Sequence, residues 1–111
     1  MSSKVLLVTS DVMGRGEDKL GELLMATFLR QLGDSQEKPT TILFLNTGVR
    51  LVCRGSNVLT PIKNLEGQGV EILSCTTCLE YFNLREQLEV GNPTTMANTI
   101  QLMMTSDVIS L

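Results

Sequence analysis

The run Cys75-Thr76-Thr77-Cys78 sets two thiols two residues apart in a chain of 111 residues that holds one further cysteine, Cys53, and no histidine. Such a pair can ligate a metal, exchange a disulfide, carry a sulfur atom as a persulfide, or fill space as two small apolar side chains. A zinc site takes about four protein ligands when structural and three plus water when catalytic. Three cysteines without histidine fall short unless carboxylates or a second subunit contribute, so metal is the weakest of the four readings. Exchange and relay both need a thiol whose charged form is favoured. A C-x-x-C opening a helix provides this through unpaired N–H groups and the positive end of the helix dipole. Relay needs neither histidine nor metal, and Thr76 and Thr77 offer hydroxyl and backbone donors to an anionic sulfur. Pro93-Thr94 is placed downstream like the proline opposite a thioredoxin-type site. Here, however, the pair follows the third strand-like run rather than an early one, and the residues after Pro93 have helical spacing.

A second stretch, Ser10-Asp-Val-Met-Gly-Arg-Gly-Glu-Asp-Lys-Leu-Gly21, has the glycine content of a phosphate loop. Its glycines at 14, 16 and 21 miss G-x-G-x-x-G because position 19 is lysine, and no Gly-Lys-Ser/Thr follows. Glu17 and Asp18 also put negative charge where a phosphate would sit at a helix start. The expectation is a strand-to-helix turn with an acidic first turn.

The elements that must position the cysteines follow from apolar patterning. Short buried-strand runs are expected at Lys4–Thr9 and Thr41–Leu45, a third strand at Val70–Ser74 and a final strand at Asp107–Leu111. Helical spacing of Leu20, Leu23, Leu24, Phe28 and Leu32 predicts a helix from Asp18 to Leu32, ended by Gly33. Val58, Leu59, Ile62 and Leu65 predict a second helix, started by Ser56 or Asn57 and stopped by Gly67 or Gly69. Asn46 to Gly55 is read as irregular or short helical, and Leu79 to Leu88 as one or two short helical pieces. Val90 gives a brief strand before a Gly91-Asn92-Pro93 turn, and Thr95 to Ser106 a last helix with Met96, Ile100, Met103 and Met104 inward. Strands alternating with helices predict an α/β fold, a mostly parallel sheet covered on both faces, in one domain over 1–111. Functional groups in such sheets collect after the carboxyl ends of strands, here the loops at 10–16, 46–55 and 75–78.

Composition narrows the function classes. A net charge of −3 and a pI near 4.8, with scattered Lys and Arg, exclude the basic face that nucleic acid needs. No apolar run approaches the roughly 18 residues of a membrane span. The start, MSSKVLLVTS, is too short in its apolar part for a signal peptide, and Asn92 is followed by Pro93, which removes its sequon. A cytoplasmic location, where thiols stay reduced, is the expectation. With 42% hydrophobic but only 4% aromatic residues, the core must be Leu, Val, Ile and Met.

Read in order, Ser10-Asp-Val-Met-Gly-Arg-Gly, Phe44-Leu-Asn-Thr-Gly-Val, Gly55-Ser, Leu65-Glu, Gly69-Val-Glu-Ile-Leu-Ser-Cys-Thr-Thr-Cys-Leu and Val90-Gly resemble the DsrE/DsrF-like sulfurtransferase family. The similarity is greatest to the carboxyl-terminal domain of YedF-type selenium-metabolism proteins. The resemblance covers nearly the whole chain. It implies a three-layer α/β/α fold with a five-stranded sheet, assembly into homo-oligomers, and a relay cysteine after the third strand. By position Cys75 is that cysteine and Cys78 the second of the YedF-type pair. Thr76 stands where that pattern usually has glycine, which narrows access to the sulfur or alters the turn. The YedF-type proteins carry a TusA-like domain ahead of this one, so the chain is expected as a standalone relative or an excised domain, with sulfur- or selenium-relay proteins, TusA-like ones included, as partners. No cofactor is expected.

The reading is a sulfur-relay protein carrying a persulfide, or selenium, on Cys75. Cys78 is the resolving or second relay thiol, and the rim comprises Asp11, Met13, Gly14, Gly16, Asn46, Gly48, Thr76 and Thr77. Cys53 belongs either near the site or at a subunit interface, and the apolar segment Val49–Cys53 is expected to bury part of such an interface. Two other classes stand against this reading: a non-catalytic oligomeric partner-binding subunit, and a thiol–disulfide oxidoreductase using the pair.

Overall fold

The expected apolar runs form the inner strands of the computed structural model, which describes residues 3–111. These strands are β1 (Lys4–Val8), β2 (Thr41–Phe44) and β3 (Glu71–Cys75), flanked by β4 (Asn92–Thr94) on one edge and β5 (Asp107–Ser110) on the other. Every pairing is parallel, in the order β4-β3-β2-β1-β5. All four residues of β2 are buried, as a strand covered on both faces requires. Four helices accompany the sheet: α1 (Asp18–Asp34), α2 (Leu59–Gly67), α3 (Thr76–Tyr81) and α4 (Met96–Thr105). Two 3-10 segments, 46–52 and 85–87, complete the elements. This is the expected three-layer α/β/α arrangement on a five-stranded sheet.

Strand alternation divides the core. Leu6, Val8, Ile42, Phe44 and Ile72 point to one face, where they meet Met25 and Leu29 of α1, Ile62 and Leu65 of α2, and Leu79 of α3. Val5, Leu43 and Leu73 point to the other, where Leu102 of α4 packs on them. The second layer is thin because α4 alone carries the chain from the β4 edge to the β5 edge.

Four expectations are corrected. The inward face of α1 is Gly21, Met25, Leu29 and Gly33; Leu20, Leu23 and Leu24 are exposed, Leu23 by 62%. Both sets fit helical spacing, and the small Gly21 and Gly33 let the helix approach its neighbours on their own side. Gly33 accordingly sits within the helix rather than ending it. In α4 the buried residue is Thr99, whereas Met96, Ile100, Met103 and Met104 face outward, Met104 by 78%. The brief strand is not Val90 but Asn92–Thr94, the residues read as a turn; proline is tolerated there because β4 is an edge strand. Finally, Val49, Leu51, Val52 and Cys53 are buried in the main core of their own chain, so that segment presents no exposed apolar patch of the kind expected for an interface. The 3-10 helix turns its apolar residues inward against α2 and α3 and leaves Arg50 outside.

Candidate functional site

Because the strands run parallel, the loops after β1, β2 and β3 emerge along one edge of the sheet. Two hydrogen bonds tie them together there, and a third anchors the last of them to β4. Asp11 N–H donates to Thr47 Oγ1 at 3.2 Å, Asn46 N–H donates to Cys78 Sγ at 3.1 Å, and Thr76 Oγ1 donates to the Thr94 carbonyl of β4 at 2.9 Å. Asn46 stands at φ 52°, a left-handed backbone that asparagine tolerates better than most residues. Its own Oδ1 accepts from Thr47 N–H at 2.8 Å, which holds the turn that aims the Asn46 N–H at the sulfur.

Cys75 is the last residue of β3 and the N-cap of α3, and Cys78 lies in the first turn of that helix, as the VEILS run and the spacing after it predict. All three cysteines are free thiols. Their exposure is unequal. Cys75 is 2% exposed, so the accessibility expected of a relay thiol at that position is not met; Cys78 is half-buried and is the outer thiol of the pair. Burial pushes the Cys78 thiol above its ordinary value, the Asn46 N–H pulls it back, and the adjacent Cys75 pushes it up again. The expected depression by the helix end is therefore not found at Cys78: α3 has only six residues, and burial outweighs one N–H. Cys53 is pushed up by burial first and by the Glu89 carboxylate second.

The expected rim does not stay together. Asp11 and Asn46 join the site through the bonds above. Gly48 is a buried spacer: a side chain there would run into the Val8 carbonyl. Met13 packs on the core beside α1, with its N–H donated to the Gly21 carbonyl. Gly14 and Gly16 form the open turn before α1, with no atom near their Cα substituent positions. Thr76 spends its hydroxyl on β4 rather than on a sulfur, and Thr77 is exposed. The helix start behind the glycine turn is capped by Glu17, whose carboxylate accepts from Lys19 N–H at 3.1 Å, which leaves no place there for a phosphate.

Two residues of this edge were not foreseen. The Arg50 guanidinium lies 4.6 Å from the centroid of the Phe82 ring and 3.7 Å from the Asp11 carboxylate. Together they wall a cavity of about 500 Å³ that Arg54, Glu22 and Cys53 also line. The available signals are slight: Arg50 is the one charge inside the Val49–Cys53 run, and Phe82 follows Cys78 by four residues, hence on the same helix face.

Fold and site together define a parallel α/β domain with paired thiols at the carboxyl edge of its sheet. The same fold occurs in MTH1491 from Methanobacterium thermoautotrophicum, a protein of unknown function, with a TM-score of 0.72 and 19% identity over the full length of both chains. The ychN protein from E. coli is similar at TM-score 0.72 and 18% identity, again over both full chains. BT1422 from Bacteroides thetaiotaomicron, also of unknown function, follows at 0.63 and 16%, covering 98% of this chain and 95% of its own. No protein-family model and no curated sequence matches the chain. Among the described residues no helix is long and apolar enough to cross a membrane.

The unequal thiols give a first expected result. Iodoacetamide modifies Cys78 first, with a rate that climbs about tenfold per pH unit and levels off above the ordinary thiol value of about 8.5. Cys75 and Cys53 react only after unfolding. The same shifts fix the sign of the alkaline stability change. Above about pH 8.5 the unfolded chain releases protons that folded Cys53 and Cys78 retain, so stability present below that pH is lost as pH rises. Mass mapping of the alkylated residue as a function of pH, with thermal melts alongside, checks both; a Cys53 that reacts as fast as Cys78 contradicts the assignment.

Proposed function

We propose that the chain is a sulfur-relay protein of the DsrE/DsrF-like kind, closest to the YedF type, and that Cys78 rather than Cys75 takes up the sulfur. One observation carries the reading: Cys78 is the accessible thiol of a C-x-x-C at the carboxyl end of an inner strand, with the Asn46 N–H 3.1 Å from its sulfur. That donor faces the place where negative charge resides before attack and after release. In uptake the Cys78 thiolate attacks the outer sulfur of a donor persulfide. The donor's S–S bond breaks and its thiolate leaves with the electron pair. Release to a partner thiol is the reverse. Cys75, behind Cys78, supports a resolving role: its attack on the inner sulfur expels hydrosulfide and leaves a Cys75–Cys78 disulfide, which an external thiol reopens. The chemistry serves selenium equally. Incubation with a persulfide donor tests the reading, since a carrier gains about 32 Da per sulfur at one mapped cysteine. A disulfide without any mass gain favours the oxidoreductase class instead, and no change in either favours the partner-binding class.

The reading includes a homo-oligomer, and the support for it has moved from Val49–Cys53 to the outer faces of α1 and α4. Contiguous exposed apolar surface marks contact sites, and Leu20, Leu23 and Leu24 on one helix and Met96, Ile100 and Met104 on another are such surface. Sedimentation at tens of micromolar is expected to show a dimer or larger. Leu23→Glu with Met104→Glu is expected to yield a folded monomer; a wild-type monomer contradicts the assembly. A TusA-like protein is the partner class this reading implies.

A further inference from the structure

We propose that the cavity walled by Arg50, Arg54 and Phe82 seats a small zwitterionic thiol of the amino-acid class, a cysteine or short cysteinyl peptide that exchanges sulfur with Cys78; the exchange rests on the relay reading, the binding does not. At about 500 Å³ the cavity is within the range of small-molecule sites. Its charges select the ligand. Two guanidiniums, Arg50 and Arg54, stand with two carboxylates, Asp11 and Glu22. A purely anionic ligand meets the carboxylates and a purely cationic one the arginines, whereas a ligand bearing both a carboxylate and an ammonium satisfies each in turn. These groups are open to a ligand. Arg54 and Glu22 form no ion pair among the described residues; Arg50 rests on the Phe82 ring and meets Asp11 across a 3.7 Å contact with both side chains at least a third exposed. An exposed pair of that kind is worth little and is readily exchanged for a ligand's charges.

The cavity wall and the thiol share two elements, the 3-10 helix at 46–52 and the α3 turn. Phe82 N–H donates to the Cys78 carbonyl, so the ring stands one helical turn from the sulfur's residue, about 6 Å along α3. Arg50 follows Asn46 by four residues of 3-10 helix, about 8 Å of rise. Cys78 does not itself line the cavity, so a ligand held at Arg50 and Phe82 must extend its sulfur about one helical turn beyond the cavity wall to meet the thiol. A cysteine persulfide measures about 6 Å from carboxylate carbon to outer sulfur by covalent geometry. In the transfer the Cys78 thiolate attacks that outer sulfur and the S–S bond of the small persulfide breaks. Cysteine leaves as a thiolate with the electron pair and takes up a proton, and no oxidant or reductant is consumed.

Calorimetry with S-methylcysteine, which carries both charges and cannot exchange sulfur, tests the site apart from the chemistry. Saturable millimolar binding is expected to the wild type, with none for ethyl methyl sulfide. Arg54→Gln, an exposed position that leaves the core untouched, is expected to weaken binding at least about tenfold, the value of a charge-assisted hydrogen bond. Sulfur loading then separates the two readings. At sub-saturating donor, cysteine persulfide loads Arg54→Gln at least about tenfold more slowly than the wild type, while inorganic polysulfide loads both at similar rates. No saturable binding, binding unchanged in Arg54→Gln, or binding of cysteine-containing protein segments alone overturns the site. Binding that behaves as expected without loading from any donor upholds the site and overturns the relay.

Discussion

Cys78→Ser is expected to abolish sulfur loading outright, while Cys75→Ser still loads and loses only the resolving step. The order follows from accessibility: a donor persulfide must bring its outer sulfur into line with the attacking thiolate, and only Cys78 has an open approach. Serine keeps the shape of the side chain and its contact with Asn46 N–H, so the loss at Cys78 is a loss of nucleophile, not of fold. At Cys75 the new hydroxyl is buried at a cost of about 1–3 kcal/mol, visible as a lower Tm without loss of uptake, and Cys75→Ala supplies a variant without that hydroxyl. Mapped mass gain after exposure to donor, followed by release to a small thiol, measures both steps. Uptake that survives in Cys78→Ser and disappears in Cys75→Ser restores the order implied by the family resemblance and removes the assignment made from burial.

Gly48→Ala is expected to cost about 3 kcal/mol, a fall in Tm of roughly 10–20 °C for a domain of this size. Gly48 lies in the 3-10 helix directly after β2, and a methyl group on it would collide with the Val8 carbonyl oxygen and carbon, both backbone. Backbone cannot rotate aside, so the 3-10 helix must lift from β1. Asn46 begins that helix and supplies the N–H on Cys78, hence the substitution also shifts the site: Cys78 alkylation is expected to lose its wild-type pH profile before global unfolding. Gly67→Ala is the control. Nothing lies near its substituent position and its backbone is helical, so alanine there is neutral or stabilising by up to about 1 kcal/mol. Equal melting of Gly48→Ala and wild type contradicts the tight approach of the two elements.

The inner strands were legible because KVLLV, TILF and EILS are apolar runs too short for helices, and their placement put Cys75 and Cys78 where they are found. The orientation of helices was not legible. On α1 the set Leu20, Leu23, Leu24 and the set Met25, Leu29 both recur at helical intervals, and only the small Gly21 and Gly33 on the second side distinguish which one faces the sheet. The edge strand β4 was hidden for a related reason: Asn92 and Pro93 are turn formers by composition, and only their place beside β3 makes them strand. At the site, residue types announced sulfur chemistry, but the ranking of the two thiols depends on burial, which the spacing of cysteines does not encode. The Asn46 donor and the Arg50–Phe82 wall come from segments more than thirty residues from Cys78 in sequence for the first and from two different loops for the second. Such contacts are set by the sheet order, not by any local pattern.

That order has a consequence for how the protein is made. β1 lies between β2 and β5, so the first strand synthesised waits for the last before its second edge is paired. At about 5–20 residues per second the ribosome takes some seconds to travel from Val8 to Ser110. Throughout that interval the nascent chain presents β1, with buried Val5, Leu6 and Val8, as an open edge that a neighbouring nascent chain can occupy. The register Lys4 to Asp107 through Leu7 to Ser110 thus makes β5 a latch on β1. A polypeptide that lacks residues 107–110 is expected to leave the outer edge of β1 unpaired.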